Sequence, residues 1–275
     1  MRPLPALAGL LLLLGSASRG GAGEAPPTFP GARSVLWIGA HPDDEVLAAP
    51  LLARLCLEER LACTFLVLTR GEAGSCRLPG GCLPSLGAVR AREMRRSARL
   101  FGAALRHWTL PDGGGLSGWS AAAGGEEALL GRLAAAIEAS GADLVLTLDP
   151  RHGSTCHPDH RAVGAAAVEA ARRLGDPPVV YLLQNVLAAR QPASAYRFAP
   201  GADARAGTVG FDANQELDAT DGPAWGALPR VAEIHASQFD ATALQRLGRV
   251  PRRQRTVYVA PAALALAVDP LRDCD

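Results

Sequence analysis

Ser34-Val35-Leu36-Trp37-Ile38-Gly39-Ala40 runs without a break into His41-Pro42-Asp43-Asp44-Glu45. The first seven residues are almost continuously apolar, the pattern of a strand buried on both faces. Pro42 comes at once, and its fixed φ suits a first helical turn, where the missing N–H does no harm. From Asp44 to Arg60 the spacing predicts a helix, with Val46, Leu47, Leu51, Leu55 and Cys56 on one side. A buried strand feeding directly into a helix is the opening half of a βαβ unit, and the rest of the chain repeats it.

Cys63–Thr69 reads as a strand and Leu86–Phe101 as a helix ending at Gly102. His107–Leu110 reads as a short strand, Glu126–Ser140 as a helix closed by Gly141, and Asp143–Leu148 as a further buried strand. Asp159–Leu174 is a predicted helix closed by Gly175, followed by a strand at Val179–Gln184. Residues 188–226, rich in Ala, Gly and Pro, are expected to form a lid or an edge elaboration. One helix from Leu228 to Leu247 and a strand at Thr256–Val259 complete the order. Strands alternating with helices predict an α/β fold: a Rossmann-like three-layer αβα sandwich with a mainly parallel sheet. No Gly-x-Gly-x-x-Gly follows the first strand, which argues against a dinucleotide site.

The N-terminus is of another kind. Arg2, the apolar run Leu4–Leu14 and Gly15-Ser16-Ala17-Ser18 have the order of a secretory signal, expected over residues 1–23. An uncleaved anchor is the alternative, although the run is short for a bilayer. Export, with no stable membrane span after cleavage, is the expectation. Residues 24–33 read as a linker and 34–275 as one domain. The chain is 48% hydrophobic and 20% charged, with a formal net charge of +1, so it has core to bury and no basic excess for nucleic acid. An exported chain permits disulfides among its six cysteines. Cys76 and Cys82, flanking Pro79-Gly80-Gly81, are the expected pair. Cys56 and Cys63 are also close but fall on a helix and the next strand.

Two polar clusters carry chemistry: His41-Pro42-Asp43-Asp44-Glu45 and His157-Pro158-Asp159-His160. Both follow predicted buried strands, and α/β sheets bind ligands beyond the carboxyl ends of their strands. His41 and Asp44 are three apart, as are His157 and His160, a spacing at which side chains share a helical face. Two imidazoles and one carboxylate make a hydrolytic type of zinc site, with a position left for water. One carboxylate and one His remain over, as needed to take the water's proton and to polarise a carbonyl. The bland alternatives are helix capping by the Asp pair and a satisfied surface His.

Together the two motifs resemble the LmbE/PIG-L family of metal-dependent de-N-acetylases, with similarity from about Val35 to Gln238. The resemblance implies an LmbE-like fold and a hydrolase that removes acetyl from an N-acetylated amino sugar, an N-acetylglucosaminyl conjugate or glycan. It implies zinc (or another divalent metal such as Fe2+) on His41, Asp44 and His160, Asp43 as general base, and His157 as oxyanion stabiliser or acid. Asp159 is expected either to orient His157 or to serve as a first-turn helix carboxylate. Arg90 in Arg90-Ala91-Arg92-Glu93 is expected to face substrate, Asp112 to hold sugar hydroxyls, and His235 in His235-Ala236-Ser237-Gln238 to approach the site. Each has a plain alternative: a solvated helix charge, a turn former and a core-facing His. Cys156 stands where the family usually has Gly; it could pair, narrow the site or ligate metal. Competing functions are an amidase for another amide conjugate, a non-haem iron(II) oxygenase on the same ligand set, and a non-catalytic sugar-binding domain.

Overall fold

Ser34–Gly39 forms strand β1, and every residue after Ser34 in it is buried. A computed structural model describes residues 28–186, 199–200 and 208–265. From Gly31 the chain clusters as one compact unit. The expected signal lies outside the described residues, as do most of the linker and Cys274. No helix among the described residues is long and apolar enough to cross a membrane.

The next strands are β2 (Ala62–Thr69), β3 (Ala104–Leu110), β4 (Leu144–Leu148) and β5 (Val179–Leu183). β1 lies between β2 and β4 and is parallel to both. β3 extends the sheet beyond β2, and β5 beyond β4, again in parallel. β6 (Val209–Asp212) and β7 (Thr256–Pro261) close the far edge, where β7 runs antiparallel to both β5 and β6. The strand order is β3-β2-β1-β4-β5-β7-β6. The order reverses between β1 and β4, which opens a crevice at the carboxyl ends of that pair.

Helices cover both faces. The segment Asp44–Glu58 contains α1 (Ala49–Ala53) and packs with α2 (Leu86–Leu100) and α6 (Ala227–Ile234) on one side. On the other side lie α3 (Gly115–Ala123), α4 (Glu126–Glu138) and α5 (Pro158–Arg172). α5 packs unusually close to the sheet at Gly164, where a Cβ would come 2.1 Å from the Leu148 carbonyl oxygen. Only glycine fits there, and this contact sets the height of α5 above β4.

Several expectations need correction. Asp44–Arg60 is not one regular helix: a 3₁₀ turn (Asp44–Ala48) precedes α1, and a π segment (Arg54–Glu58) follows it. Pro50, in the first turn of α1, has no N–H to carry an α ladder backwards. The predicted helix Leu228–Leu247 is two helices, α6 and α7 (Ala241–Gly248). It breaks because the Ser237 amide donates to Glu93, and Asp240 then caps α7 by accepting from the Ala243 amide. α3 was not expected, since its glycines read as a turn; Trp119 anchors it, fully buried, with Nε1 donating to the Pro111 carbonyl at 2.9 Å. β3 begins three residues earlier than expected, at Ala104. The described part of the 188–226 region supplies β6, an edge strand.

The Cys76–Cys82 disulfide forms as expected, with a Cα separation of 6.0 Å. Cys56–Cys63 forms as well, at 5.8 Å, because the π segment turns straight back into β2. Cys156 is also disulfide-bonded, which takes its thiol out of the set of metal donors.

Candidate active site

Four strand ends deliver the site. β1 ends one residue before Ala40-His41, β2 before Arg70-Gly71, β3 before Asp112, and β4 before the loop that leads to His157. The two motifs, more than a hundred residues apart, meet across the crevice between β1 and β4.

Asp44 is fixed first. Its Oδ2 accepts hydrogen bonds from the Ala40 and His41 amides at 2.7 and 2.9 Å. Its Oδ1 is thereby aimed at His160 Nε2, 3.0 Å away, and His41 Nδ1, 3.5 Å away. His41 Nδ1 and His160 Nε2 are themselves 3.2 Å apart. The other nitrogen of each ring is occupied. His41 Nε2 faces Asp112 Oδ1 at 3.0 Å and Asp159 Oδ2 at 3.1 Å. His160 Nδ1 lies 2.9 Å from both the Gly153 carbonyl and Thr155 Oγ1. With their protons on those outer nitrogens, both imidazoles point lone pairs at one another and at a carboxylate oxygen. Three acceptors gathered in a buried space could hold a metal ion. Tetrahedral zinc with ligands at about 2.0–2.1 Å places donors about 3.4 Å apart, close to the distances here. Burial works against charge, yet Asp44 holds the proton affinities of His41 and His160 above the ordinary imidazole range. Burial likewise opposes ionisation of Asp44, but His160 and His41 hold its carboxyl well below the usual range.

His157 forms the outer wall. It is the N-cap of α5, and its Nδ1 accepts from the Asp159 amide at 3.2 Å. That bond places the proton of a neutral ring on Nε2. The ring packs edge-on against His41, with centroids 4.8 Å apart, and is exposed. Burial of part of the ring, together with the neighbouring His41 and His160, lowers its proton affinity. A nitrogen of His157 also comes within 4.8 Å of nitrogens of His41 and His160, so its ring borders the same centre.

Asp43 has an unusual backbone, with φ 117° and ψ −13°, in the region that favours glycine. A left-handed residue here separates its side chain from that of Asp44 and turns it toward α2. Its Oδ1 accepts from Arg90 Nη2 at 2.7 Å. Burial raises the proton affinity of Asp43, and Arg90 partly offsets that.

The flanking expectations fare differently. Arg90 is buried and bonded to protein groups: Nη1 donates to the Gly71 carbonyl at 2.9 Å, and Nη2 to the Pro42 carbonyl at 2.6 Å as well as to Asp43. Its position on the inner side of α2 makes it a clamp on Asp43. Asp159 does not orient His157 with its carboxylate, which instead accepts from Gly113 and Gly115 amides and from His41. Asp112 lies at the site, but one oxygen is taken by His41 and the other by the Ala73 amide at 2.7 Å. Burial pulls the other way, yet the His41 contact holds Asp112 down to about 2. His235 is fully buried and bonds to Glu45 at 2.6 Å. Thr155 and Gly153, which orient His160, were not anticipated; only their place in the loop before His157 hinted at them.

Residues 36–171 match the PIG-L family, described as GlcNAc-PI de-N-acetylase. Among curated proteins no sequence match is found. Among solved structures, the chain is similar to an N,N'-diacetylchitobiose deacetylase from Pyrococcus horikoshii, with TM-score 0.60, 19% identity and 92% of each chain covered. It is also similar to the A40926 pseudoaglycone deacetylase, with TM-score 0.57, 20% identity, and 83% of this chain and 96% of that one covered. A 4-carboxy-2-hydroxymuconate hydratase from Pseudomonas putida has TM-score 0.52 and 21% identity, covering 79% and 83%. At these identities the likeness is one of fold, and the hydratase shows that the fold carries more than one reaction. Over residues 36–171 the chain carries a domain of the PIG-L, LmbE-like de-N-acetylase family.

Proposed function

We propose that the protein is an exported, zinc-dependent hydrolase that removes acetyl from an N-acetylated amino sugar in a glycan or conjugate. The observation that carries this reading is the trio of lone-pair atoms on His41, Asp44 and His160, 3.0–3.5 Å apart, with His157 packed against His41 and Asp43 adjacent to Asp44 in the chain. Zinc held by that trio would act as a Lewis acid and lower the pKa of a water toward about 7. Asp43 takes the water's proton, and its raised proton affinity suits that task. His157, whose neutral ring carries its proton on Nε2, donates it to the amide oxygen as negative charge develops there. Asp43 then returns the proton to the departing amine. Arg90 holds the base, while Asp112 and Asp159 hold His41.

The substrate class rests on the family description and on the N,N'-diacetylchitobiose and A40926 pseudoaglycone for which the two deacetylases of like fold are named. Export is supported by the Cys56–Cys63 and Cys76–Cys82 disulfides, which persist in oxidising compartments. The test is Asp43→Asn. It should bind zinc with parent stoichiometry and release acetate from N-acetylated glucosamine oligomers about 10²–10⁴-fold more slowly. Parent-like acetate release from that variant would remove Asp43 as the base.

A further inference from the structure

Glu45 is the one acidic residue of the first motif without a part in the chemistry above, and its side chain is fully buried. Its Oε2 accepts the amide proton of Asp43 at 3.2 Å. Its Oε1 accepts from His235 Nε2 at 2.6 Å and from Ser97 Oγ at 2.5 Å. Ser97 and His235 are also fully buried. Ser97 comes from α2, and His235 from the C-terminal end of α6, 190 residues away in sequence. The loop after His235 is tied to the same helix, since Ser237 donates through its amide and hydroxyl to the two oxygens of Glu93.

This arrangement is expensive if its purpose is packing. His235 Nδ1 is buried without a hydrogen-bond partner among the described residues, so the ring's polar anchoring runs through Glu45. An unpaired buried polar atom is unfavourable, and an apolar side chain of similar size would avoid it. Asp43 bears a second cost, because a left-handed backbone at a non-glycine residue is strained and persists only where its surroundings hold it. The Glu45 carboxylate is the group that holds the Asp43 amide, just as Arg90 holds the Asp43 carboxylate.

We propose that Glu45, locked by His235 and Ser97, is a positioning residue that keeps Asp43 in its left-handed conformation and so aims the Asp43 carboxylate at the water. This rests on Asp43 being the base. His235 thereby acts on the reaction through two residues, from a fully buried position.

The test uses the full-length mature protein with His235→Leu, which removes the donor and keeps the bulk, and His235→Gln, whose amide nitrogen can take the place of Nε2. Ser97→Ala removes the second donor if His235→Leu does not fold. Hydrogen exchange of the Asp43 amide and crystal structures of the variants give a readout independent of turnover. Zinc content, and kcat and KM for acetate release from N,N'-diacetylchitobiose, give the second. His235→Leu should keep its zinc, exchange the Asp43 amide at least about ten-fold faster, and lose kcat on the order of 100-fold with KM little changed. His235→Gln should restore most of both. Parent-like exchange and an unmoved Asp43 in His235→Leu or Ser97→Ala would overturn the positioning role. A failure of the deacetylase reading looks different: the parent releases no acetate from the probe, or Asp43→Asn releases it normally, while the exchange result still decides whether Glu45 holds Asp43.

Discussion

Gly71→Ala adds one methyl group to a residue that takes no part in the chemistry, and it should cost the protein most of its activity. Gly71 has φ +65°, and a Cβ built on it would lie 2.1 Å from Arg90 Nη1, 2.4 Å from Cζ and 2.7 Å from Nε. Ordinary contact begins near 3.4 Å, so the guanidinium must retreat by about 1.3 Å. Arg90 is buried and cannot simply swing into solvent. A retreat of that size disturbs its 2.7 Å bond to Asp43. A base misplaced by about 1 Å loses on the order of 100-fold in rate, or about 2.7 kcal/mol of barrier. The positive φ adds a separate destabilisation of about 1–2 kcal/mol for any L side chain. Gly81 separates the two effects, since it has φ +76° but nothing within 4 Å of its Cβ. Gly81→Ala should lower Tm and leave kcat alone, whereas Gly71→Ala should lower both. Zinc stoichiometry, thermal melts and acetate release measure the three quantities. If Gly71→Ala melts like Gly81→Ala and turns over at the parent rate, Arg90 does not position the base.

Other outcomes follow from the same geometry. Asp159→Asn removes the charge that fixes the His41 ring through Nε2 and should weaken zinc about 10–100-fold in chelator competition; unchanged affinity would leave Asp159 as a helix-start residue only. At the end of β4, burial opposes ionisation of Asp149, but Arg151, His152 and the Gln184 amide hold its carboxyl below the usual range. Its stabilising contribution is therefore present above the unfolded-state pKa of about 3.9 and is lost as pH falls through the lower folded-state value. Asp149→Asn should flatten the loss of stability below about pH 4 in urea titrations, and an acid limb parallel to the parent's would count against that assignment.

The sheet was legible because parallel strands buried on both faces are written as unbroken apolar runs, as at Val35–Ile38 and Leu144–Leu148. The gathering of His41, Asp44, His157 and His160 was legible because a strand end fixes where the next side chains stand. What escaped was the partner of each flanking polar group. Arg90, Asp159 and His235 all lie near the centre, but the spacing did not show that they bond to Asp43, His41 and Glu45 respectively. Spacing along a helix shows which side a residue occupies, and cannot show that a loop 48 residues earlier offers it a carbonyl. The break between α6 and α7 escaped for the same reason: its cause is Glu93, on another helix. Left-handed Asp43 carries no local signal, since Arg90 holds its carboxylate from 47 residues away and the Glu45 that holds its amide is itself fixed by the distant Ser97 and His235.

That strain also bears on attempts to harden the molecule. Asp43 occupies the backbone region where glycine is most at ease, so the exchange that best relaxes the loop also deletes the carboxylate proposed as base. Survival after heating and catalytic turnover therefore pull this position in opposite directions. A library screened for heat resistance alone would collect Gly at this position and discard the enzyme, so both traits must be scored in every clone.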